Sequence, residues 1–330
     1  MSSTLVSIII SAWNAEQYLG QTLESLLNQT WPNLEIIVVN DGSTDNTLQV
    51  AKSFAARGVK AISQNNKGQD AALNLGYKHS NGDYIKFMDS DDLLNPEMIE
   101  TQMQTLNGSQ EHIAYGEWAR FYNNKPELAD FTPLDYWRDG EPVDFLTARP
   151  EGVMLQCGIM LIPRPIIEKA GLWDERLILF NDTEFFTRAF LCSKGIKFSK
   201  GARLYYRSAI SSSITAGRTR RFYESTFLAT GLIAKQMLAV EDSPRVRNLI
   251  ANTYLIQYYK MYPEFPDLVT AHEKQLALYG PGTLQPDGGK VFKLLNAIAG
   301  WKTARRIQSF FYKAGYKPVH PGLKILESNH

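Results

Sequence analysis

Cysteine is scarce: Cys157 and Cys192 are the two in 330 residues. They are too few and too widely spaced for a disulfide framework or a thiolate metal cluster, so both are expected as reduced structural thiols of a cytoplasmic protein. An excess of charge is missing too. Lys and Arg total 35 against 34 for Asp and Glu, which argues against a nucleic-acid partner held by a general basic field. No apolar run approaches the roughly 20 residues that span a bilayer. The early run from Leu5 to Ile10 is short for a signal peptide and lacks a basic flank. Neither secretion nor a transmembrane helix is expected. What is present is a chain 44% hydrophobic, ample for a sizeable core.

The apolar residues fall in an alternating order. Leu5 to Ala12 is β-branched and nearly continuous, as in a strand covered on both faces. Ala15 to Asn28 reads as an amphipathic helix, Leu34 to Asn40 as a second buried strand and Asp45 to Ala56 as a helix. Val59 to Ser63, Gly68 to Ser80 and Asp83 to Met88 continue the pattern as strand, helix and strand. Such an order predicts an α/β fold, a mostly parallel sheet with helices on both faces. Ligands then collect at the carboxyl ends of the strands.

Beyond Asn95 the order is less regular: a helix to about Leu106, strands over Ala114 to Phe121 and Val153 to Ile162, a loop from Gly171 to Asp182, a helix from Thr183 and a strand from Arg203 to Arg207. From about Thr219 only helices are expected. The predicted division is 1–218 for the α/β domain and 219–330 for a helical region.

Two strand ends carry carboxylates. Asn40-Asp41-Gly42-Ser43-Thr44-Asp45 suits a tight turn in which Asp45 or Thr44 caps the next helix. The same segment lets Asp41 accept a hydrogen bond from a nucleobase. Asp89-Ser90-Asp91-Asp92 puts three carboxylates in four positions, and they repel one another unless a cation or several N–H donors compensate. A hard divalent metal, shared with substrate phosphates, fits; a solvated turn capping the helix near Pro96 is the alternative.

Taken in order, VSIIISAWNAEQYL, SLLNQTWPNLEIIVVNDGSTDNT, NNKGQDAALNLG, GDYIKFMDSDD and GLWDERLILFNDTEFFTR resemble the family 2 glycosyltransferases of the GT-A fold, over roughly Leu5 to Arg207. The resemblance implies a nucleotide-diphosphate sugar as donor, UDP-sugars first among them, and an Mg2+ or Mn2+ ion. It assigns Asp41 to the base, Asp89 to the ribose or sugar and, with Asp91, to the metal. Asp182 is implied as the catalytic base and inversion as the outcome. Asn181 departs from the Glu that commonly precedes that Asp, which makes Glu184 an alternative base. Ser11, Asn14, Lys67 and Ser90 are further candidate donor contacts. Arg207 and Arg218 bracket a Ser-rich, then basic segment, where similar proteins place a mobile loop over the diphosphate.

A helix start at Thr183 would instead make Asp182 an N-cap. Trp118, Trp137 and Trp173 could form a stacking platform for an acceptor sugar, though isolated aromatics are more often core. A nucleotidyltransferase is disfavoured by the missing Gly-rich basic loop after the first strand, and a Rossmann dehydrogenase by the missing Gly-x-Gly-x-x-Gly turn. A non-catalytic nucleotide-sugar-binding scaffold is the remaining alternative. The absence of a Gln-x-x-Arg-Trp motif favours single-sugar transfer over processive synthesis.

Between Gly288 and Leu326 eight Lys and Arg residues occur with no Asp or Glu, and apolar residues recur at helical spacing. Such a helix either lies on an anionic membrane or docks its apolar stripe on the protein. In the first case the enzyme sits at the inner face of the cytoplasmic membrane and a lipid-linked or other carbohydrate acceptor is expected.

Overall fold

A computed structural model describes residues 4–208, 219–286 and 288–313. The chain divides into two units, one of residues 1–145 and 154–216, the other of residues 146–153 and 217–330.

The first unit runs β1 (Val6–Ala12), α1 (Leu19–Leu27), β2 (Leu34–Asp41), α2 (Thr47–Ser53), β3 (Val59–Gln64), α3 (Gln69–Lys78), β4 (Tyr84–Asp89), β5 (Leu93–Leu94), α4 (Met98–Leu106), β6 (His112–Phe121), α5 (Pro142–Leu146), β7 (Met160–Pro163), α6 (Arg164–Ala170), α7 (Asn181–Leu191) and β8 (Gly195–Arg207). The sheet order is β3-β2-β1-β4-β7-β6-β8-β5. The β3-β2-β1-β4 half is parallel, as the alternating pattern predicts. The other half is mixed: β7 runs antiparallel to β4 and β6, β6 parallel to β8, and β5 antiparallel to β8. All seven residues of β1 are buried, and each large apolar side chain removed from water there contributes about 1.5–3 kcal/mol. The parallel register places Ser11 opposite Asp89, so the carboxyl ends of β1, β2 and β4 share one edge.

Two boundaries shift the chemistry. The strand expected over Val153 to Ile162 forms only at Met160–Pro163 and follows a 3-10 turn over Cys157–Ile159. The carbonyls of Gly158, in that turn, and of Met160, the first residue of β7, accept from the Lys86 ammonium. Second, α7 begins at Asn181, after Phe180 in the left-handed region (φ 63°). Asp182 therefore lies inside the first turn and is not an N-cap.

The second unit is helical: α8 (Arg220–Val240), α9 (Pro244–Met261), α10 (Pro266–Tyr279) and α11 (Lys290–Lys313). Thr219 and Ser243 cap α8 and α9 by accepting from Phe222 N and Val246 N. Tyr258, Tyr259, Tyr262, Leu255 and Leu284 form one core cluster, with Trp301 packed against it, and Tyr223, Met261 and Leu268 form another. Gly300 (φ 76°) breaks α11 in two. No helix among the described residues is long and apolar enough to cross a membrane.

Candidate active site

Asp41 closes β2 and is nearly inaccessible. Its Oδ1 accepts from Gln64 Nε2 (2.7 Å) and Lys67 N (2.9 Å), and its Oδ2 from Gly68 N (2.8 Å). Gly42 follows with φ 68°, and a Cβ there would lie 2.6 Å from Asn66 N. The pair thus clamps the turn that opens α3. The N-cap of α2 is Asn46 rather than Asp45 or Thr44, and Asp45 one residue earlier accepts from Thr47 N at 3.0 Å. Asn14 uses its amide oxygen on Thr44 N (2.9 Å), while Lys67 is exposed.

The same turn reaches two other elements. Gln69 Nε2 donates to Asp89 Oδ1 (2.8 Å) at the end of β4. Asp70 Oδ1 accepts from Asn181 Nδ2 (2.5 Å) at the start of α7. Residues 67–70 therefore tie the end of β2, the end of β4 and the first turn of α7 into one cluster. Asp182 sits next to Asn181 and accepts from the Cys157 thiol, Sγ to Oδ1 3.3 Å.

Electrostatically the cluster is unresolved. Burial pushes Asp89 well above the usual carboxylate range, and the charges of Asp182 and Asp91 push it further. Asp91 is raised by burial, with Arg207 opposing. Burial and then the two neighbouring carboxylates raise Asp92 strongly. Asp182 rises through burial to about 6, with the thiol contact working against the rise. Burial takes Asp70 to about 7, despite its bond from Asn181. Like charges crowded into a poorly solvated place hold protons that a cation would displace.

Among the described residues, no group of three or more His, Cys, Asp or Glu side chains is placed to hold a metal ion. Asp89 and Asp91 could supply two carboxylates, so a divalent cation fits here if substrate phosphates complete its shell. Asp92 has a different role. Its Oδ1 accepts from Arg207 N at 2.8 Å, and its buried Oδ2 has no partner.

Arg207 is not the free phosphate contact the sequence suggests. It is 5% exposed. Its guanidinium donates to Asp91 O (2.7 Å), Gln21 Oε1 (2.8 Å) and Asn124 Oδ1, and it stacks over Tyr18 and Phe121. The strand β8 delivers it beside the acidic loop, where its guanidinium fixes the Asp91 carbonyl and its backbone N–H the Asp92 carboxylate. Arg218 lies outside the described residues. Glu184, the alternative base, is 2% exposed and pairs with Arg188 (2.7 Å), whereas Asp182 in the same turn is half-buried. Ser11 lies on the β1 side of the cluster, and the Ser90 carbonyl accepts from Thr22 Oγ1 (2.9 Å). Trp137 and Trp173 are core residues, Trp173 stacking on Phe185 at 4.0 Å; they form no open platform.

Four contributors escape a reading by strand ends. Gln69 and Asp70 stand inside a quoted motif, but nothing local says what they hold. Cys157 carries no spacing signal. Lys86 does: a lysine in the middle of the apolar strand YIKFMD is unusual. It is wholly inaccessible, burial lowers its pKa, and its two carbonyl acceptors fix the turn bearing Cys157.

With the geometry in place, comparisons give it company. The family model described as glycosyl transferase family 2 matches residues 7–171, half of the chain. An uncharacterised glycosyltransferase of Rickettsia typhi is 34% identical over 182 residues, 54% of this chain and 57% of that protein. The chain therefore spans little more than half the length of that relative. An uncharacterised glycosyltransferase of Haemophilus influenzae is 27% identical over 271 residues, 79% of this chain and 100% of its own length. The crystal structure of S. aureus TarS 1–349 in complex with UDP-GlcNAc superposes with a TM-score of 0.67 at 18% identity, covering 98% of each chain. That likeness is one of fold.

Proposed function

The chain belongs to glycosyl transferase family 2, and from that premise we propose that it moves a sugar from a nucleotide-diphosphate sugar to an acceptor hydroxyl with inversion. The observation that carries this reading is the cluster itself. One turn, residues 67–70, holds Asp41 and Asp89 and, through Asn181, the helix turn bearing Asp182. Asp41 would receive the base and Asp89 the sugar side of the donor. Asp89 and Asp91 would hold a divalent cation, which offsets charge developing on the diphosphate.

Burial raises Asp182 to about 6, in the range that suits a general base. Asp182 takes the proton of the acceptor hydroxyl. That oxygen forms a bond to the anomeric carbon while the bond to the β-phosphate oxygen breaks, and its electron pair leaves on the diphosphate. The helix N-terminus adds a favourable field for the ionised carboxylate. The thiol of Cys157, held protonated by burial and by Asp182 and Asp89, can only donate to the base.

UDP-sugars are the first donors to test, since the TarS structure named above holds UDP-GlcNAc. The acceptor side of the proposal is a carbohydrate or lipid-linked glycan. In α11 Phe292 and Ala304 face inward, whereas Val291, Leu294, Ile298, Phe310 and Phe311 are exposed, Ile298 by 74%. An apolar stripe flanked by Lys290 and Lys293 suits the surface of an anionic bilayer, and the proposed location is the inner face of the cytoplasmic membrane. Leu294→Glu with Ile298→Glu should abolish co-sedimentation with anionic liposomes; unchanged sedimentation removes the membrane from the proposal.

The test of the donor site is a panel of UDP-, GDP- and dTDP-sugars with Mg2+ or Mn2+, read by thermal shift. We expect stabilisation by one nucleotide class, dependent on the metal and lost in Asp91→Asn. No stabilisation by any donor overturns the reading. Stabilisation without transfer, unchanged in Asp182→Asn, supports the binding scaffold instead.

A further inference from the structure

The helix turn that carries Asp182 is fastened to a different element from its own. Asp70 and Asn74 stand four residues apart on α3 and share one face, and they are only 2% and 3% exposed. Asn74 accepts from Trp173 N (2.9 Å) and donates to Trp173 O (3.0 Å) and Glu175 Oε1 (2.9 Å). Asp70 takes the Asn181 carboxamide at 2.5 Å. The chain from Trp173 to Asn181 is therefore pinned at both ends to the same face of α3.

That face has a fixed position. At Gly76, α3 presses onto the sheet so closely that a Cβ would lie 2.3 Å from Ile9 Cγ2 in β1 and 3.2 Å from Val39 Cγ2 in β2. At its first residue Gln69 holds Asp89. One helix thus spaces the carboxylates of the strand ends from the first turn of α7. The chain enters that turn through Phe180, whose φ of 63° is a conformation a bulky side chain keeps only where its surroundings dictate it. The bond from Asn181 to Asp70 follows directly on that residue.

Stability alone does not account for Asp70. Its Oδ2 is buried with no hydrogen-bond partner, and a carboxyl with one oxygen stranded in this way is a poor filler of a packed helix face. We infer that Asp70 is a positioning residue of the transfer reaction. Through Asn181 it fixes the first turn of α7, and with it the direction in which Asp182 meets the acceptor hydroxyl. The inference rests on the proposed role of Asp182 as the base. Asp70 acts at one remove, by geometry, and a base misplaced by about an ångström slows its reaction by large factors.

The test uses the full chain and the sugar nucleotide that stabilises the parent most, UDP-GlcNAc first, with water standing in for the acceptor hydroxyl. Release of the nucleoside diphosphate gives kcat and KM. Asp70→Ala and Asn181→Ala should each lower kcat by about ten- to a hundredfold, with donor KM and donor thermal shift as in the parent. Because both remove one contact, the double alanine variant should fall no more than about threefold below the lower single. The exchange Asp70→Asn with Asn181→Asp rebuilds the bond with donor and acceptor reversed, and should recover most of the lost kcat. Unchanged kcat in either single variant, multiplying losses in the double, or an exchange variant no better than the double overturns the inference. If the alanine variants lose the thermal shift, the exchange variant decides alone: kcat near the parent supports the inference and a lower value overturns it. A parent that binds the donor and releases no diphosphate sinks the transfer reading and this inference with it; turnover in the parent that the variants do not alter sinks the inference alone.

Discussion

The two units solve the same problem, what to do with charge, in opposite ways. In the helical unit the ions pair at the surface: Arg220 with Asp267, Arg247 with Asp242, Lys302 with Glu273. In the α/β unit Asp89, Asp91, Asp92 and Asp182 are crowded together, and the buried arginine beside them spends its donors on backbone and amides. Exposed pairs contribute little and disturb nothing. A crowded carboxylate cluster costs stability, and it persists where a substrate or cation completes it. The difference is what the proposed reaction asks of the first unit.

The sharpest way to break this comparison is Asp182→Asn. Transfer should fall by roughly 10²–10⁴-fold, with the donor-induced thermal shift retained; a small loss in kcat would move the base elsewhere. Next is Lys86→Met, which strands two buried carbonyls and should destabilise the unit by about 1–3 kcal/mol in denaturant titrations. Its kcat should also fall, because the turn bearing Cys157 is released.

A third test uses pH. Asp70 rises from 3.8 to about 7 through burial, so the folded chain keeps a proton that the unfolded chain gives up. Its contribution is fully present below the unfolded pKa and is lost as pH rises through about 7, an effect of at most a few kcal/mol. Melting of the parent without ligand should fall across that window, and Asp70→Asn should flatten the fall; an equally steep curve in the variant would sink this assignment. Smaller still, Glu184→Gln should lower stability through Arg188 while leaving kcat within about threefold, far below the loss of a general base. Smallest is Arg220→Ala in the helical unit, for which no measurable change in melting or transfer is expected.

Much of the fold is readable without coordinates. Strands β1 to β4 and the helices between them have local causes: β-branched runs for buried strands, 3.6-residue periodicity for α1 and α3, and glycine or carboxylate at the turns. Asp41, Asp89 and Asp91 announce themselves for the same reason, since each stands at a strand end. The antiparallel insertion of β7 is not readable, because Lys86, which binds the Gly158 and Met160 carbonyls at its start, lies 72 and 74 residues away. Nor is the fate of Arg207, whose basic character suits phosphate until its neighbours are known.

The sequence by itself determined an α/β half, a helical half and the acidic strand ends, because hydrophobic periodicity and turn chemistry act over a few residues. Tertiary structure decided which groups share a site. Asp70 meets Asn181 across 111 residues and Arg207 meets Asp92 across 115. Burial and mutual charge, which raise these carboxylates, exist only once those distances are closed.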